Sequence, residues 1–300
     1  MPAICRNCGR LELKLSWAGN QIVFGEPNRG IMRCSSNRIA GMANLIQKSV
    51  SESANSLFVK IHICADYDEM SEEAARSVAE AIRAKPKLVL CVPSGNTPRG
   101  MYQELIRMRR QNQLDFSKVK FFLLDEYIGL RPGHPQSFRA DLWRVFLNYI
   151  NVRPANVYLP DESYEETTRR SGGIDLLISG IGVNGHIAFN EPGSALESRT
   201  RIVELEDSTI ELMKTSFSPP ELPRKAITMG LATILEARRI LLLASGSRKA
   251  QILARALTGE ITTDVPASAL RLHSNLTVIA DEEAAAIYRR NSVDKPESIG

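Results

Sequence analysis

Histidine and cysteine are scarce in this chain of 300 residues, with four and five copies, and aromatic residues make up only 6% of it. Five cysteines, an odd number, argue against a complete disulfide framework in a chain of this length. Cys5 and Cys8 in "CRNCG" have zinc-ribbon spacing, but a structural site needs two more ligands and only Cys34 follows at a useful distance. Cys64 and Cys91 lie inside the strand-like runs "KIHICAD" and "KLVLCVP" and read as buried thiols. No stretch approaches the roughly 18 uninterrupted apolar residues of a membrane span. The N-terminus also lacks a charged-then-apolar secretory pattern, so the expectation is a cytoplasmic protein with no membrane partner.

An excess of one charge is lacking as well. The net charge is +4, yet residues 1–57 carry seven Lys and Arg against three acids, which leaves 31 of each sign in the remainder. A balanced main body offers no concentrated basic face, and this excludes nucleic acid as an expected partner. Residues 1–57 are rich in Ser, Asn, Gly and Arg and sustain neither a strand nor a helix period. They read as a disordered leader, or as an extension upstream of a start at Met32 or Met42. Glu12, Glu26 and Glu52 count against a transit peptide.

From residue 58 a regular alternation begins. "LFVKIHICA", "KLVLCVP", "VKFFLLDEY", "NVYLP", "GIDLLISGIG", "RRILLLAS" and "NLTVIAD" read as strands. Between them "EEAARSVAEAIRA", "TPRGMYQELIRMRR", "SFRADLWRVFLNYI" and "SRKAQILARALTG" have helical spacing, with Met101, Leu105 and Met108 on one stripe. Short, continuously apolar strands separated by helices predict an α/β fold with a mostly parallel sheet covered on both faces. The expected boundaries are a domain over 58–285 and a polar tail over 286–300.

In such sheets ligands bind beyond the carboxyl ends of the strands, so a polar cluster directly after an apolar strand is a candidate site. Four clusters qualify. Ser94, Gly95, Asn96 and Thr97 lead into a helix, where free N–H groups and a positive dipole end suit a phosphate, although a hydroxyl there also serves as a plain helix cap. In "ASGSRKAQ" Lys249 falls in the first turn of a helix, opposing the dipole, which a bound anion or a solvent-turned stem would each explain. Asp125 and Glu126 close an apolar strand, and a partly desolvated carboxylate beside another acid is suited to proton transfer. Finally "GIGVNGHIAFNEPGS" places Asn184, His186 and Glu191 among glycines, a loop that fits catalysis better than a structural histidine.

Taken together, "PSGNTP", "LLDEYIGL", "GIGVNGHIAFNEPGS" followed by "SRTR", and "LASGSRKAQ" resemble, in order and spacing, the glucosamine-6-phosphate deaminase (isomerase) family. The resemblance runs from about Phe58 to about Ala285 and implies a Rossmann-related fold of the sugar-phosphate isomerase type. The "FNEP" continuation separates the chain from the related 6-phosphogluconolactonases, which share the fold. The family converts glucosamine 6-phosphate and water to fructose 6-phosphate and ammonia without metal or organic cofactor. By that resemblance His186, with Glu191 and Asn184 as partners, opens the sugar ring, and Asp125 moves a proton from C2 to C1. Ser94, Gly95, Asn96, Thr97 and Lys249 hold the phosphate.

The chain also departs from the family pattern. Position 184 is Asn where some members have Asp, so the carboxylate partner of His186 must be Glu191. The family's lid arginine corresponds to residues of about 207–220, where this chain offers Lys214 or Thr215 instead. Ser194 and Arg201 match an effector-phosphate site of regulated members, but Ala195 and Val203 replace a hydroxyl and a lysine, so regulation by N-acetylglucosamine 6-phosphate is not expected. Three readings stand: a glucosamine-6-phosphate deaminase; a galactosamine-6-phosphate deaminase or 6-phosphogluconolactonase on the same fold; and a non-catalytic sugar-phosphate sensor. Asp125 with Glu191 counts against the lactonase, and the lack of a helix-turn-helix in 1–57 counts against a sensor tied to DNA. Homo-oligomerisation stays open.

Overall fold

A single carboxylate starts the first long helix. Asp66 accepts a hydrogen bond from the Glu69 N–H at 2.9 Å, and the apolar spacing that follows buries Met70, Ala74, Val78 and Ile82 along one stripe. The computed structural model describes residues 15–18, 21–24, 59–131, 133–205, 210–211 and 222–293. Its strands are β1 (Leu15–Ala18), β2 (Gln21–Phe24), β3 (Lys60–Cys64), β4 (Val89–Val92), β5 (Lys120–Leu123), β6 (Asp125–Ile128), β7 (Val157–Tyr158), β8 (Leu176–Gly180), β9 (Arg201–Glu204), β10 (Lys225–Thr228), β11 (Ile240–Ala244) and β12 (Leu276–Asp281). The α-helices are α1 (Tyr67–Ala84), α2 (Arg99–Arg110), α3 (Phe138–Val145), α4 (Tyr164–Arg170), α5 (Leu231–Leu235), α6 (Ala250–Thr258) and α7 (Glu282–Val293).

The chain divides into two compact units, Met1–Asn55 and Ser56–Gly300. In the first, β1 and β2 pair antiparallel, Leu15 opposite Phe24 and Ala18 opposite Gln21. Strands of four residues are too short to register as a sustained period. Cys5, Cys8, Cys34 and most of the expected leader lie outside the described residues.

In the second unit seven strands lie in the order β3-β12-β11-β8-β4-β5-β7, with every pair parallel. Alternation along each strand divides the core between the two faces. Leu90, Val92, Leu241 and Leu243 pack with α1 and α2 on one side; Val89, Cys91, Ile240, Leu242 and Ala244 pack with α5 and α6 on the other. Cys64 and Cys91 are buried free thiols, as the sequence pattern predicts.

Four expectations change. "VKFFLLDEY" is not one strand: the chain bends at Leu124, leaves the parallel sheet after β5 and starts β6 in a separate antiparallel sheet of order β6-β10-β9. The helix expected over "SFRADLWRVFLNYI" ends at Val145, and a 3-10 turn covers Leu147–Tyr149. Phe146 leaves helical geometry at φ −141° because its ring is drawn inward, stacked 4.6 Å from Tyr102 and edge-on to Phe116 and Phe121. Lys249 is not in the first turn of an α-helix but ends a 3-10 turn, Ser247–Lys249, that precedes α6. The tail set off at 286 begins inside α7, where Ala284 and Ala285 are fully buried.

Candidate active site

The four clusters follow β4, β5, β8 and β11, which are neighbours in the order β11-β8-β4-β5. Because these strands are parallel, their carboxyl ends open on one side, roughly 5 Å from strand to strand. Topology therefore gathers residues that are up to 155 positions apart, from Ser94 to Lys249, along one edge.

After β8 the loop turns back on itself. His186 Nδ1 lies 3.2 and 3.3 Å from the two carboxylate oxygens of Glu191, and the Asn184 amide donates to Glu191 Oε2 at 2.6 Å. Asn184 Oδ1 accepts from the His186 N–H at 3.2 Å. Asn184 thus fixes the backbone of His186 and, separately, the carboxylate that faces its ring. Glu191 is 9% exposed, so its charge is held by these donors more than by water. The imidazole lies against Gly182, where an added Cβ would stand 2.4 Å from Cε1 and Nε2. Only glycine leaves room for the ring. Ala188 sits at φ +53°, a left-handed conformation that costs a non-glycine residue about 1 kcal/mol.

After β5, Asp125 is buried, 7% exposed, and its pKa is pushed up to about 8 by that burial first and by the Glu126 charge second. Glu126 has its own work. Its carboxylate accepts the N–H groups of Tyr127, Phe138 and Arg139, each at 2.9 Å, and so holds the start of α3. Asp125 and Ser94 line one crevice with Val92, Pro93, Leu123, Phe138 and Leu142, packed too tightly to admit a water molecule.

After β4, Pro98 begins α2 with no side-chain cap, which removes the plain-cap explanation for Ser94 and Thr97. The Tyr67 hydroxyl braces this loop, donating to Asn96 O at 3.2 Å and accepting from Gly100 N–H at 2.8 Å. Asn96 and Gly95 are exposed, Ser94 and Thr97 half-buried. After β11, Lys249 is half-buried; desolvation first, and the neighbouring Arg248 charge second, pull its pKa below the usual lysine value. No ion pair to Lys249 is formed among the described residues. Lys214 and Thr215 lie outside the described residues. Among the described residues no group of three or more His, Cys, Asp or Glu side chains could hold a metal ion, and no helix is long and apolar enough to cross a membrane.

A family profile described as "Glucosamine-6-phosphate isomerases/6-phosphogluconolactonase" matches residues 65–279. The chain belongs to that family. Among its relatives, the glucosamine-6-phosphate deaminase of Thermoanaerobacter sp. (strain X514) is 46% identical over 252 residues, 80% of this chain and 100% of its own. A solved monomeric glucosamine-6-phosphate deaminase superposes with TM-score 0.73 at 40% identity, covering 76% of this chain and 100% of that one. The 6-phosphogluconolactonase of Trypanosoma brucei, at TM-score 0.61 and 21% identity over 76% of this chain and 98% of its own, shares the fold.

Within this isomerase/lactonase family member, sequence reasoning missed the segment that ties the Asp125 and His186 loops together. Thr228 pairs with Asp125 across β10 and β6, and its buried hydroxyl accepts from the Phe189 N–H at 3.2 Å. Next to it Met229 donates its N–H to Leu124 O at 2.8 Å and accepts from the Asn190 amide at 2.7 Å. One buried pair of residues thereby fixes the Asp125 turn against the His186 loop. Arg201 adds a clamp, bonding Asn190 Oδ1 at 2.9 Å and Ser194 Oγ at 3.3 Å. Nothing in "KAITMG" marks Thr228 as special, because its role exists only through strands paired at a distance.

Proposed function

We propose that the chain is a glucosamine-6-phosphate deaminase, converting glucosamine 6-phosphate and water to fructose 6-phosphate and ammonia. The observation that carries this reading is the constellation itself, a buried carboxylate of raised pKa and a glutamate-paired histidine at the carboxyl ends of β5 and β8, the two strands that flank β4, in a chain 46% identical to proteins of that name.

The assigned chemistry divides among the residues as follows. Glu191 holds His186 through Nδ1, which leaves Nε2 to carry a proton between O1 and the ring oxygen as the pyranose opens. Asp125, ionised, takes the C2 proton and returns it to C1 on the same face through an enol-type intermediate. Its desolvated setting makes it a stronger base than an exposed aspartate. Water then adds at C2 as ammonia leaves. Ser94, Gly95, Asn96, Thr97 and Lys249 receive the phosphate, so that binding energy at the far end sets C1 and C2 against Asp125. Lys214 supplies a further cation from the lid segment in this reading. A phosphate ester does not leave through a membrane, and we place the reaction in the cytoplasm.

The test is to give purified protein glucosamine 6-phosphate, galactosamine 6-phosphate and 6-phosphogluconolactone separately, and to measure ammonia and acid release. Ammonia from the glucosamine substrate is the expected result. Ammonia from neither amino sugar would sink the deaminase reading, and acid release from the lactone alone would replace it.

A further inference from the structure

Asp281 stands one strand outside the four clusters, at the carboxyl end of β12. Its side chain is buried, 4% exposed, yet its donors are all neutral. The Ser245 hydroxyl donates at 2.5 Å, the Gly246 N–H at 3.1 and 2.9 Å to the two oxygens, and the Ala284 N–H at 2.8 Å. The last of these caps the start of α7 and explains an acid or an amide at this position. The other two lie outside the helix. They reach across to the loop that follows β11.

That loop has one path open to it. Gly246 adopts φ +85°, ψ 152°, a conformation closed to residues with a side chain, and its N–H points at Asp281. The chain then closes a 3-10 turn through Lys249 N–H to Gly246 O at 2.9 Å, while the Ser247 N–H is taken by Glu283 at 3.1 Å. The leading amides of the turn are therefore committed to carboxylates. The turn carries two cations, an exposed Arg248 and a half-buried Lys249.

We propose that Asp281 is a positioning residue for phosphate binding: by holding Ser245 and Gly246, its carboxylate sets the turn that aims Lys249 at the strand ends. This rests on Lys249 as a phosphate ligand. Asn at 281 can still cap α7 through its oxygen, but an NH2 then replaces the oxygen facing Ser245 and Gly246, so the serine must accept instead of donate and a donor stands against the Gly246 N–H. The substitution separates the two jobs of the carboxylate.

The experiment compares Lys249→Met, Asp281→Asn and Ser245→Ala in the full chain, by steady-state ammonia release from glucosamine 6-phosphate and by inhibition with inorganic phosphate. Lys249→Met is expected to raise KM by about thirtyfold, Asp281→Asn by about tenfold and Ser245→Ala by about threefold, with kcat within about twofold for the last two. The inhibition constant of phosphate rises in parallel. A helix cap alone would lower thermal stability and leave KM and phosphate inhibition in place, and that outcome with Lys249→Met impaired overturns the role of Asp281 only. An unchanged KM in Lys249→Met overturns the phosphate reading beneath it as well. Should Asp281→Asn fail to fold, an unchanged KM in Ser245→Ala refutes the proposal.

Discussion

At the ends of β5 and β8 the functional groups are bonded to the protein itself, whereas at the ends of β4 and β11 they are left open. His186, Glu191 and Asn184 form a closed set of hydrogen bonds, and Asp125 is enclosed with Glu126 tied off on α3. Ser94 to Thr97 make no side-chain cap, and among the described residues no carboxylate pairs with Lys249. The contrast separates two tasks. Groups that move protons must stand in fixed geometry before substrate arrives, while groups that bind a phosphate must keep their donors unspent. The supports of the second set act beside it: Tyr67 on the backbone of Asn96 and Gly100, Asp281 on the Gly246 N–H and the Ser245 hydroxyl.

Substitutions should therefore divide between kcat at the first end and KM at the second. The largest effect is expected from Asp125→Asn, which removes the C2 base and lowers kcat by about a thousandfold with KM little changed. Retained hydrogen exchange at C2 would take the base away from Asp125. Gly182→Ala comes next. Its Cβ would meet the His186 ring at 2.4 Å, and displacement of the imidazole by about 1 Å lowers kcat by about a hundredfold. Full activity in that variant would mean that His186 works from another position. Lys249→Met tests the open end and should raise KM by about thirtyfold while kcat falls far less; a loss confined to kcat would erase the distinction between the two ends.

Acidity gives a smaller and independent check. Asp125 must be ionised to act as a base, and its pKa is about 8, so kcat/KM should climb about tenfold per pH unit below that value and level off above it. A profile flat from acid to neutral pH would contradict the enclosure of Asp125. The same burial affects stability. Between the ordinary value of 3.8 and about 8 the folded state keeps the Asp125 proton and the unfolded state loses it, so this group makes the fold less stable as pH rises through that window. Asp125→Asn should accordingly raise Tm by a few °C above pH 8 and by less in acid, read by thermal melts at both ends.

Much of the site was legible because it is local. "GHIAFNEP" carries His186 and Glu191 five residues apart, and a glycine-punctuated loop after "LLIS" is short enough to bring them together. "FFLLD" and "VPSGNTP" announced themselves as polar groups closing apolar strands. Asp281 in "NLTVIAD" has the same signature and could have been found by the same rule. Thr228 could not, since a threonine in "KAITMG" acquires its partners Phe189 and Asp125 only when β10 inserts between β6 and β9. The bend at Leu124 was equally silent, because apolar runs on either side of a sheet switch read as one strand.

The sequence by itself determined the alternation of strands and helices, the residue types at each strand end and the family. Those follow from periodicity and from short motifs, which depend on near neighbours along the chain. Tertiary structure decided which strand ends are adjacent, which of two neighbouring acids is buried and which holds a helix start, and that the first amides of the Lys249 turn are taken by carboxylates. Asp125 and Glu126 are the clearest case. They are adjacent acids with no local distinction, and burial against β10 raises one while the first turn of α3 engages the other.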